Sequence, residues 1–507
     1  MKINLIEFFE ETISKWPYKI AVIEGEKSIT FGELAKKAKS LAAFIEEKEN
    51  SRNRPIAIYL QKSIEAVVSD LAVTYSGNVY MNLDVKTPES RIKNIINLIQ
   101  PQAVITDSKH IDALKPSCFE GLDIINIDEL PDRSTFDIKA FSTIIDTDPY
   151  CIINTSGSTG TPKGVVLNHR SFFDFIYRSY ESFDFSDDET IGSLSPIVFD
   201  IYVYELCMMM SKGSTIILIP EHLSAFPAAI LKILSEQKVS FIFWVPTIMV
   251  NIANMNLLPQ FDLASLKTVW FAGEVFSTKQ FNVWRKCLPN AMFANLYGPI
   301  EITLDCVFYI IKRELRDEEP IPIGYPYKNT DILILDDKDD LITEVDKEGE
   351  LCVRGTSLAM GYYNNPEKTN AAFVQNPLNH SYPETIYRTG DIVCQNSYGE
   401  IVFKGRKDNI IKHSGYRTDL GEIEHIVINS LKLVKNGCIV YNFSQKEITL
   451  FYESDEEISP AEFRKRIGTE LPKYMIPTVY HRLDELKRNT NGKIDRLYYK
   501  KMVNEQN

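Results

Sequence analysis

Thr155-Ser156-Gly157-Ser158-Thr159-Gly160-Thr161-Pro162-Lys163-Gly164 is the stretch on which the fold turns. It follows Tyr150-Cys151-Ile152-Ile153, an apolar run that reads as a buried strand. Glycine lets a backbone approach a polyanion closely and turn its N–H groups toward it. Hydroxyls add donors, and Lys163 adds a mobile positive charge. Such a loop is suited to holding a triphosphate. The same composition also fits a solvated Gly/Ser/Thr linker, and the stretch alone leaves both readings open. The G-x-x-x-x-G-K-[ST] spacing of a Walker loop is absent.

On either side of the loop, apolar runs alternate with helical patterns, which predicts an α/β protein. A helix is expected over 31–47, with Leu34, Ala38, Leu41 and Ile45 on one face, followed by a strand over 54–60 and a helix over 63–75. Strands are expected at 103–106, 122–127, 215–219, 241–245 and 267–271, and a helix at 172–183. From about 323 to 401 the texture becomes β-rich, with short strands separated by Asp/Gly/Asn turns, as in a barrel or meander. A small α/β segment follows Gly405-Arg406-Lys407-Asp408, with helices near 420–430 and 459–471 and strands near 437–443 and 447–452.

A chain of 507 residues has room for two or more domains and a large core. Lys and Arg number 56 against 69 Asp and Glu, a net charge of −13 that argues against nucleic acid as the main partner. The N-terminus carries no signal-peptide pattern, and no apolar run approaches the roughly 18 residues of a membrane span. The longest candidate, 197–210, is interrupted by Asp200 and Glu205. The expected location is therefore the cytoplasm. Eight cysteines without C-x-x-C spacing read as buried free thiols rather than disulfides or a zinc site.

Motifs then recur in a fixed order. Ile29-Thr30-Phe31-Gly32-Glu33-Leu34 and Gly77-Asn78-Val79-Tyr80 precede the glycine loop. Asn295-Leu296-Tyr297-Gly298-Pro299-Ile300-Glu301, Gly349-Glu350-Leu351, Gly361-Tyr362-Tyr363 and Tyr387-Arg388-Thr389-Gly390-Asp391 follow it. Gly405-Arg406-Lys407-Asp408, Gly415-Tyr416-Arg417, Leu471-Pro472-Lys473-Tyr474 and Asn491-Gly492-Lys493-Ile494-Asp495-Arg496 close the series. In this order the chain resembles, over nearly its whole length, the adenylate-forming superfamily. Within it, the chain is similar to the amino-acid-activating domains of non-ribosomal peptide synthetases and to the stand-alone D-alanine–carrier protein ligases. The resemblance implies a large N-terminal domain, 1–405, of two α/β subdomains plus a β-rich subdomain. It also implies a small mobile α+β C-terminal domain, 406–507.

The resemblance also implies two half-reactions. A carboxylate first joins the α-phosphate of ATP with release of pyrophosphate. The resulting acyl-AMP then passes to a thiol. Thr155, Ser156, Gly157, Ser158, Thr159, Gly160 and Lys163 would hold phosphates. Tyr297 would offer a flat face to adenine, presented by the turn at Gly298, and Asn295 would also bind ATP; Asp391 would accept the ribose hydroxyls, and Arg406 would reach the ribose or phosphates. Glu301 would ligate Mg²⁺, a hard cation suited to carboxylate and phosphate oxygens. Lys493 would bridge the substrate carboxylate and the α-phosphate, where a compact ammonium meets charge building on two oxygens. Asp408 would be the hinge, and Gly415 would move in to line a pantetheine tunnel. Taken singly, each has a plainer reading: a core tyrosine, a turn aspartate, a solvated arginine or lysine. Ile300 stands where the family usually has threonine, which puts one α-phosphate contact in doubt.

Asp200, after Phe199, matches the family aspartate that pairs with a substrate α-ammonium. A carboxylate in an apolar run is costly to bury without a cation, although a helix cap or a structural salt bridge would also account for it. It favours an amino acid over fatty or aryl acids. By position, Ile201, Tyr204, Phe243, Trp270, Ala272, Gly273, Leu296, Leu304 and Asp305 would complete the substrate pocket. Tyr204 and Trp270 predict a restricted volume. Asp305 would meet either a cationic or hydroxylated side chain or a protein neighbour. Ala272 stands where D-alanine ligases typically carry cysteine. No Gly-Gly-x-Ser carrier signature follows Lys493, so the expected acceptor is the phosphopantetheine arm of a separate carrier protein. An acyl- or aryl-CoA ligase and a catalytically silent nucleotide-binding protein are the alternatives.

Overall fold

The computed structural model describes residues 2–49, 51–111, 118–130, 140–156, 162–407, 409–454, 456–489 and 494–504. Two large sheets dominate it. A seven-stranded sheet runs in the order Gly361–Tyr362, Lys163–Asn168, Pro149–Thr155, Val79–Leu83, Pro55–Tyr59, Ala103–Thr106 and Asp123–Asn126. A nine-stranded sheet is centred on Phe241–Trp244, Thr268–Ala272 and Met292–Tyr297, which pair in parallel. Central strands such as Pro55–Tyr59 and Val79–Leu83 are buried along their whole length, which explains why they read as continuous apolar runs rather than alternating ones.

Helices cover the sheets with the predicted stripes. Phe31–Glu49 buries Leu34, Ala38, Leu41 and Ile45, as its spacing requires. The apolar run at 197–210 becomes the helix Asp200–Lys212, whose residues from Ile201 to Met210 are buried in a core shared by both sheets. No helix among the described residues is long and apolar enough to cross a membrane. None of the eight cysteines, all of them described, forms a disulfide, and Cys287 alone is not fully buried.

The β-rich stretch is an antiparallel sheet rather than a closed barrel. Its hub is the long strand Thr385–Gln395, which pairs with Gly349–Gly355, Phe373–Gln375 and Ile401–Arg406. Beyond Arg406 the hairpin of Ile410–His413 and Tyr416–Asp419 leads to a three-stranded sheet with its own core, including Ile423, Val427, Leu450, Phe463 and Ile467. The helix expected over 420–430 is α-helical only for Leu420–His425 and then widens into a π turn, Ile426–Ser430. The helix expected over 459–471 covers Pro460–Ile467: Ser459 caps its start through the Glu462 N–H at 3.2 Å, and it stops at Gly468. This C-terminal portion docks on the rest through the buried Arg91–Glu422 ion pair and through the hairpin tip.

Candidate active site

The glycine loop joins two paired antiparallel strands, Pro149–Thr155 and Lys163–Asn168, with Thr155 opposite Lys163. This register brings the two strand ends that flank the loop side by side. Thr155 and Ser156 are buried, and the Thr155 hydroxyl has no hydrogen-bond partner among the described residues. An orphaned buried hydroxyl costs free energy unless something completes it. The Lys163 ammonium lies 4.9 Å over the Tyr362 ring. Burial, and then the Arg417 guanidinium, hold its pKa below the usual lysine value. Gly157, Ser158, Thr159 and Gly160 lie outside the described residues, as do Asp408 and Lys493.

The strand Met292–Tyr297 ends in the Tyr297-Gly298-Pro299 turn. A Cβ on Gly298 would lie 2.1 Å from the Leu304 carbonyl oxygen and 2.6 Å from the Asp305 Cα, so only glycine lets the two backbones meet. The Tyr297 hydroxyl donates to Asp391 Oδ2. Arg406, directly opposite Asp391 in the paired strands, donates to its Oδ1 at 2.5 Å and to the Thr389 carbonyl at 3.0 Å. The expected adenine wall, ribose carboxylate and arginine are thus one connected group. Asn295 is turned away and donates to the Pro322 carbonyl at 2.8 Å, bracing the strand.

Glu301 sits in the short 3₁₀ helix Ile300–Ile302 and is 0% exposed. Arg417 Nη1 donates to both of its oxygens, at 2.9 and 2.8 Å, and the Tyr362 hydroxyl donates at 2.8 Å. Burial pushes the carboxyl up, but Arg417 and the Tyr362 hydroxyl pull it below its ordinary value. The position is therefore built to face a cation. Among the described residues no group of three His, Cys, Asp or Glu could hold a metal. Glu301 offers a single carboxylate, which fits a metal that takes its remaining ligands from phosphates and water.

The expected pocket residues come together around Trp270. Its ring stacks on Tyr204 at 5.5 Å and 13° and meets Phe243 edge-on at 5.4 Å. Tyr204, Phe243 and Trp270 are fully buried, and Ile201, Ala272, Leu296 and Leu304 are buried around them. Gly273 has φ +93° and passes the chain to Glu274. Asp200 opens the helix Asp200–Lys212; its Oδ1 accepts from the Ile201 N–H at 3.0 Å, and no ion pair is formed with it among the described residues. Burial raises its pKa from 3.8 to about 6, with Lys412 as the main opposing influence.

Several residues in this cluster were not assigned roles from the sequence. Arg417 and Tyr362 lie inside quoted motifs, yet only the fold shows that both reach Glu301. Lys412, in the strand Ile410–His413, faces Asp391 and Asp305; burial lowers its pKa. At the hairpin tip, the Gly415 N–H donates to Glu274 at 2.7 Å, and the glycine lies against Val245. Nearby, Tyr416 meets Phe199 at 4.8 Å. A cavity of about 220 Å³ adjoins this contact, and its lining residues Asp84 and Glu221 face the Tyr416 hydroxyl.

Residues 9–363 match the family described as AMP-binding enzyme. The chain is 30% identical over 501 residues to Zwittermicin A synthase ZmaJ of Bacillus cereus, covering 97% of this chain and 93% of that protein. It is 30% identical to Gramicidin S synthase 1 of Brevibacillus brevis, again over 97% of this chain but only 44% of that protein. It spans 11% of Gramicidin S synthase 2 of the same organism, also at 30% identity and over 97% of this chain. Among solved structures, the Vibrio cholerae adenylation domain AlmE in complex with glycyl-adenosine-5'-phosphate has a TM-score of 0.85 at 21% identity, covering 100% of this chain and 98% of that one. The o-succinylbenzoate CoA synthetase MenE of Bacillus subtilis shares the fold with a TM-score of 0.83 at 19% identity, covering 98% of each chain. The chain belongs to the AMP-binding enzymes, and among them to the adenylate-forming type represented by the adenylation domains of non-ribosomal peptide synthetases.

Proposed function

We propose that the protein activates an amino acid as aminoacyl-AMP, releasing pyrophosphate, and then transfers the acyl group to the phosphopantetheine thiol of a separate carrier protein in the cytoplasm. The observation that carries this reading is Asp200. It is a half-buried carboxylate without an ion pair among the described residues, and an α-ammonium supplies what it lacks. A fatty or aryl acid leaves it unpaired.

In this reading, Thr155, Ser156, Gly157, Ser158, Thr159, Gly160 and Lys163 hold the phosphates, Tyr297 lies on adenine, and Asp391 exchanges its protein donors for the ribose hydroxyls. Mg²⁺ bound at Glu301 would supply charge neutralisation on the phosphates. Lys493 approaches from the C-terminal domain, 406–507, for adenylation and leaves with it about the hinge Asp408. Gly415, against Val245 and Glu274, then lines the thiol's path, and the cavity beside Tyr416 gives the pantetheine arm an entry.

The test is pyrophosphate exchange across L- and D-amino acids, set beside fatty and aryl acids, followed by transfer to a phosphopantetheinylated carrier protein or to coenzyme A. Exchange with one or a few amino acids and acylation of the carrier are the expected results. Exchange with only fatty or aryl acids and acylation of coenzyme A would establish a CoA ligase instead, a reading favoured by the shared fold with a CoA synthetase.

A further inference from the structure

The C-terminal portion is anchored to both large sheets. At the hairpin tip, the Gly415 N–H donates to Glu274 and Arg417 donates to Glu301, and these acids follow the strands Thr268–Ala272 and Met292–Tyr297 of the nine-stranded sheet. The other anchor is the helix Glu89–Ile99, which follows the strand Val79–Leu83 of the seven-stranded sheet. Ile92, Ile95, Ile96 and Ile99 form its apolar stripe and pack in one core with Val79, Met81 and Leu83, which fixes the helix on the sheet. From its first turns, Ser90 Oγ donates to the Thr469 carbonyl at 3.0 Å and Arg91 Nη1 donates to Glu422 Oε1. Arg91 is 7% exposed and Glu422 0%.

An ion pair this deeply buried gives up its hydration when it forms, so its net attraction is small. Its larger effect is discrimination. A docking that slips or turns leaves one charge buried without the other, which is far costlier than the pair is favourable. Contacts to one sheet alone leave the C-terminal portion free to turn about that edge, and the Arg91–Glu422 pair on the other sheet opposes the turn.

From this pair a run of contacts leads to the cavity of about 220 Å³. Tyr474, in the motif Leu471-Pro472-Lys473-Tyr474, lies near enough to Arg91, Glu422 and Asp84 for each to act on its hydroxyl. Its ring stacks on Tyr416 at 3.8 Å and 11°. Tyr416 in turn meets Phe199, next in sequence to the cavity-lining Val198.

We propose that Arg91 and Glu422 are positioning residues: their pair sets the rotation of the docked C-terminal portion and so holds the Tyr474–Tyr416 stack beside the cavity through which the thiol arrives. The thiol step rests on the function proposed above.

The first measurement needs no substrate. Amide hydrogen exchange at Gly415, whose N–H crosses to Glu274, should quicken by at least about 30-fold in Arg91→Met and in Glu422→Gln, because each leaves a buried charged pair with one member. The double variant Arg91→Met with Glu422→Leu buries no lone charge and should protect Gly415 better than either single variant. The second measurement sets the half-reactions side by side. Single-turnover loading of a carrier protein should fall by the same factor in the single variants, with pyrophosphate exchange unchanged. Wild-type protection of Gly415 in both single variants overturns the proposal, and so does a double variant that shows the summed effects of the two. Equal losses of loading and pyrophosphate exchange assign the pair to structure and also overturn it. Quickened amide exchange at Gly415, beside a wild type that exchanges pyrophosphate but loads no carrier, supports the lock and overturns the carrier reading instead.

Discussion

Arg417 grips both oxygens of Glu301, at 2.9 and 2.8 Å, across 116 residues of sequence. The guanidinium comes from the hairpin strand Tyr416–Asp419, and Lys163 lies near enough to the carboxylate to act on its charge. The carbonyl of Arg417 also accepts from the Ser156 hydroxyl at 2.6 Å. In the function proposed above, Arg417 would compete with Mg²⁺ for Glu301.

Replacing Arg417 with alanine would leave Glu301 buried and uncompensated in this arrangement, which costs about 3 kcal/mol or more. The docked hairpin should become disfavoured by about 10²-fold. Pyrophosphate exchange should be kept, while single-turnover transfer to the carrier thiol should fall by that factor. Equal losses in both half-reactions would show that Arg417 does not separate them.

The parts of the site that were legible in the sequence are local. The apolar run before the glycines marked the strand Pro149–Thr155, and period-3.6 spacing gave the helix Phe31–Glu49. An acid breaking an apolar run marked Asp200. The reach of Arg417 and Tyr362 to Glu301 was not legible, because an element's own pattern records which face is buried and not what lies across the interface. The left-handed backbones of Thr303 and Leu304 were hidden for a related reason. Neither residue prefers that conformation, and packing against Gly298 imposes it. Tyr297 was expected only to face adenine, yet its hydroxyl also donates to Asp391.

Burial raises Asp200 to about 6, above its ordinary 3.8. A raised acid takes up protons in the folded state between those values, so its contribution to stability falls as pH rises through that window and is constant above it. Substrate capture runs the other way, because only the ionised carboxylate pairs with an ammonium. Lys412, Asp305 and Glu301 act on this group as well, and Lys412 opposes the rise. The kcat/KM for the amino acid should therefore climb up to tenfold per unit from pH 5 to about 6 and then level off. Asp200→Asn should flatten the profile and lower the plateau by at least about 10²-fold. A pH-independent wild-type profile over 5–7 would remove Asp200 from substrate binding.

Gly298→Ala places a methyl group 2.1 Å from a carbonyl oxygen and 2.6 Å from a Cα, both backbone atoms that cannot rotate away. Overpacking of this kind costs about 3 kcal/mol. In the strand Asn436–Asn442, Gly437→Ala would meet nothing closer than the Leu450 methyl at 3.3 Å and should cost less than about 1 kcal/mol. Urea unfolding measures both. Similar stabilities for the two variants would mean that the turn beneath Asp305 yields more easily than its contacts imply.

Lys493 and Gly415 divide the two half-reactions between them. Lys493→Ala removes the ammonium proposed to meet both reacting oxygens, and should slow exchange by at least about 10²-fold, a loss of about 3 kcal/mol. It should leave amino-acid binding and transfer from preformed aminoacyl-AMP nearly unchanged. Gly415→Ala acts in the opposite sense. The residue has φ +83°, and a Cβ there would lie 3.1 and 3.2 Å from the two Val245 methyl groups. The added methyl strains the hairpin tip and crowds the path past Val245 and Glu274, so transfer should fall while exchange persists. Stopped-flow release of pyrophosphate and radiolabelled loading of the carrier measure the two steps separately. A Gly415→Ala enzyme that loads the carrier at the wild-type rate would mean that the thiol takes another route, and near-normal exchange by Lys493→Ala would mean that a different cation meets the α-phosphate.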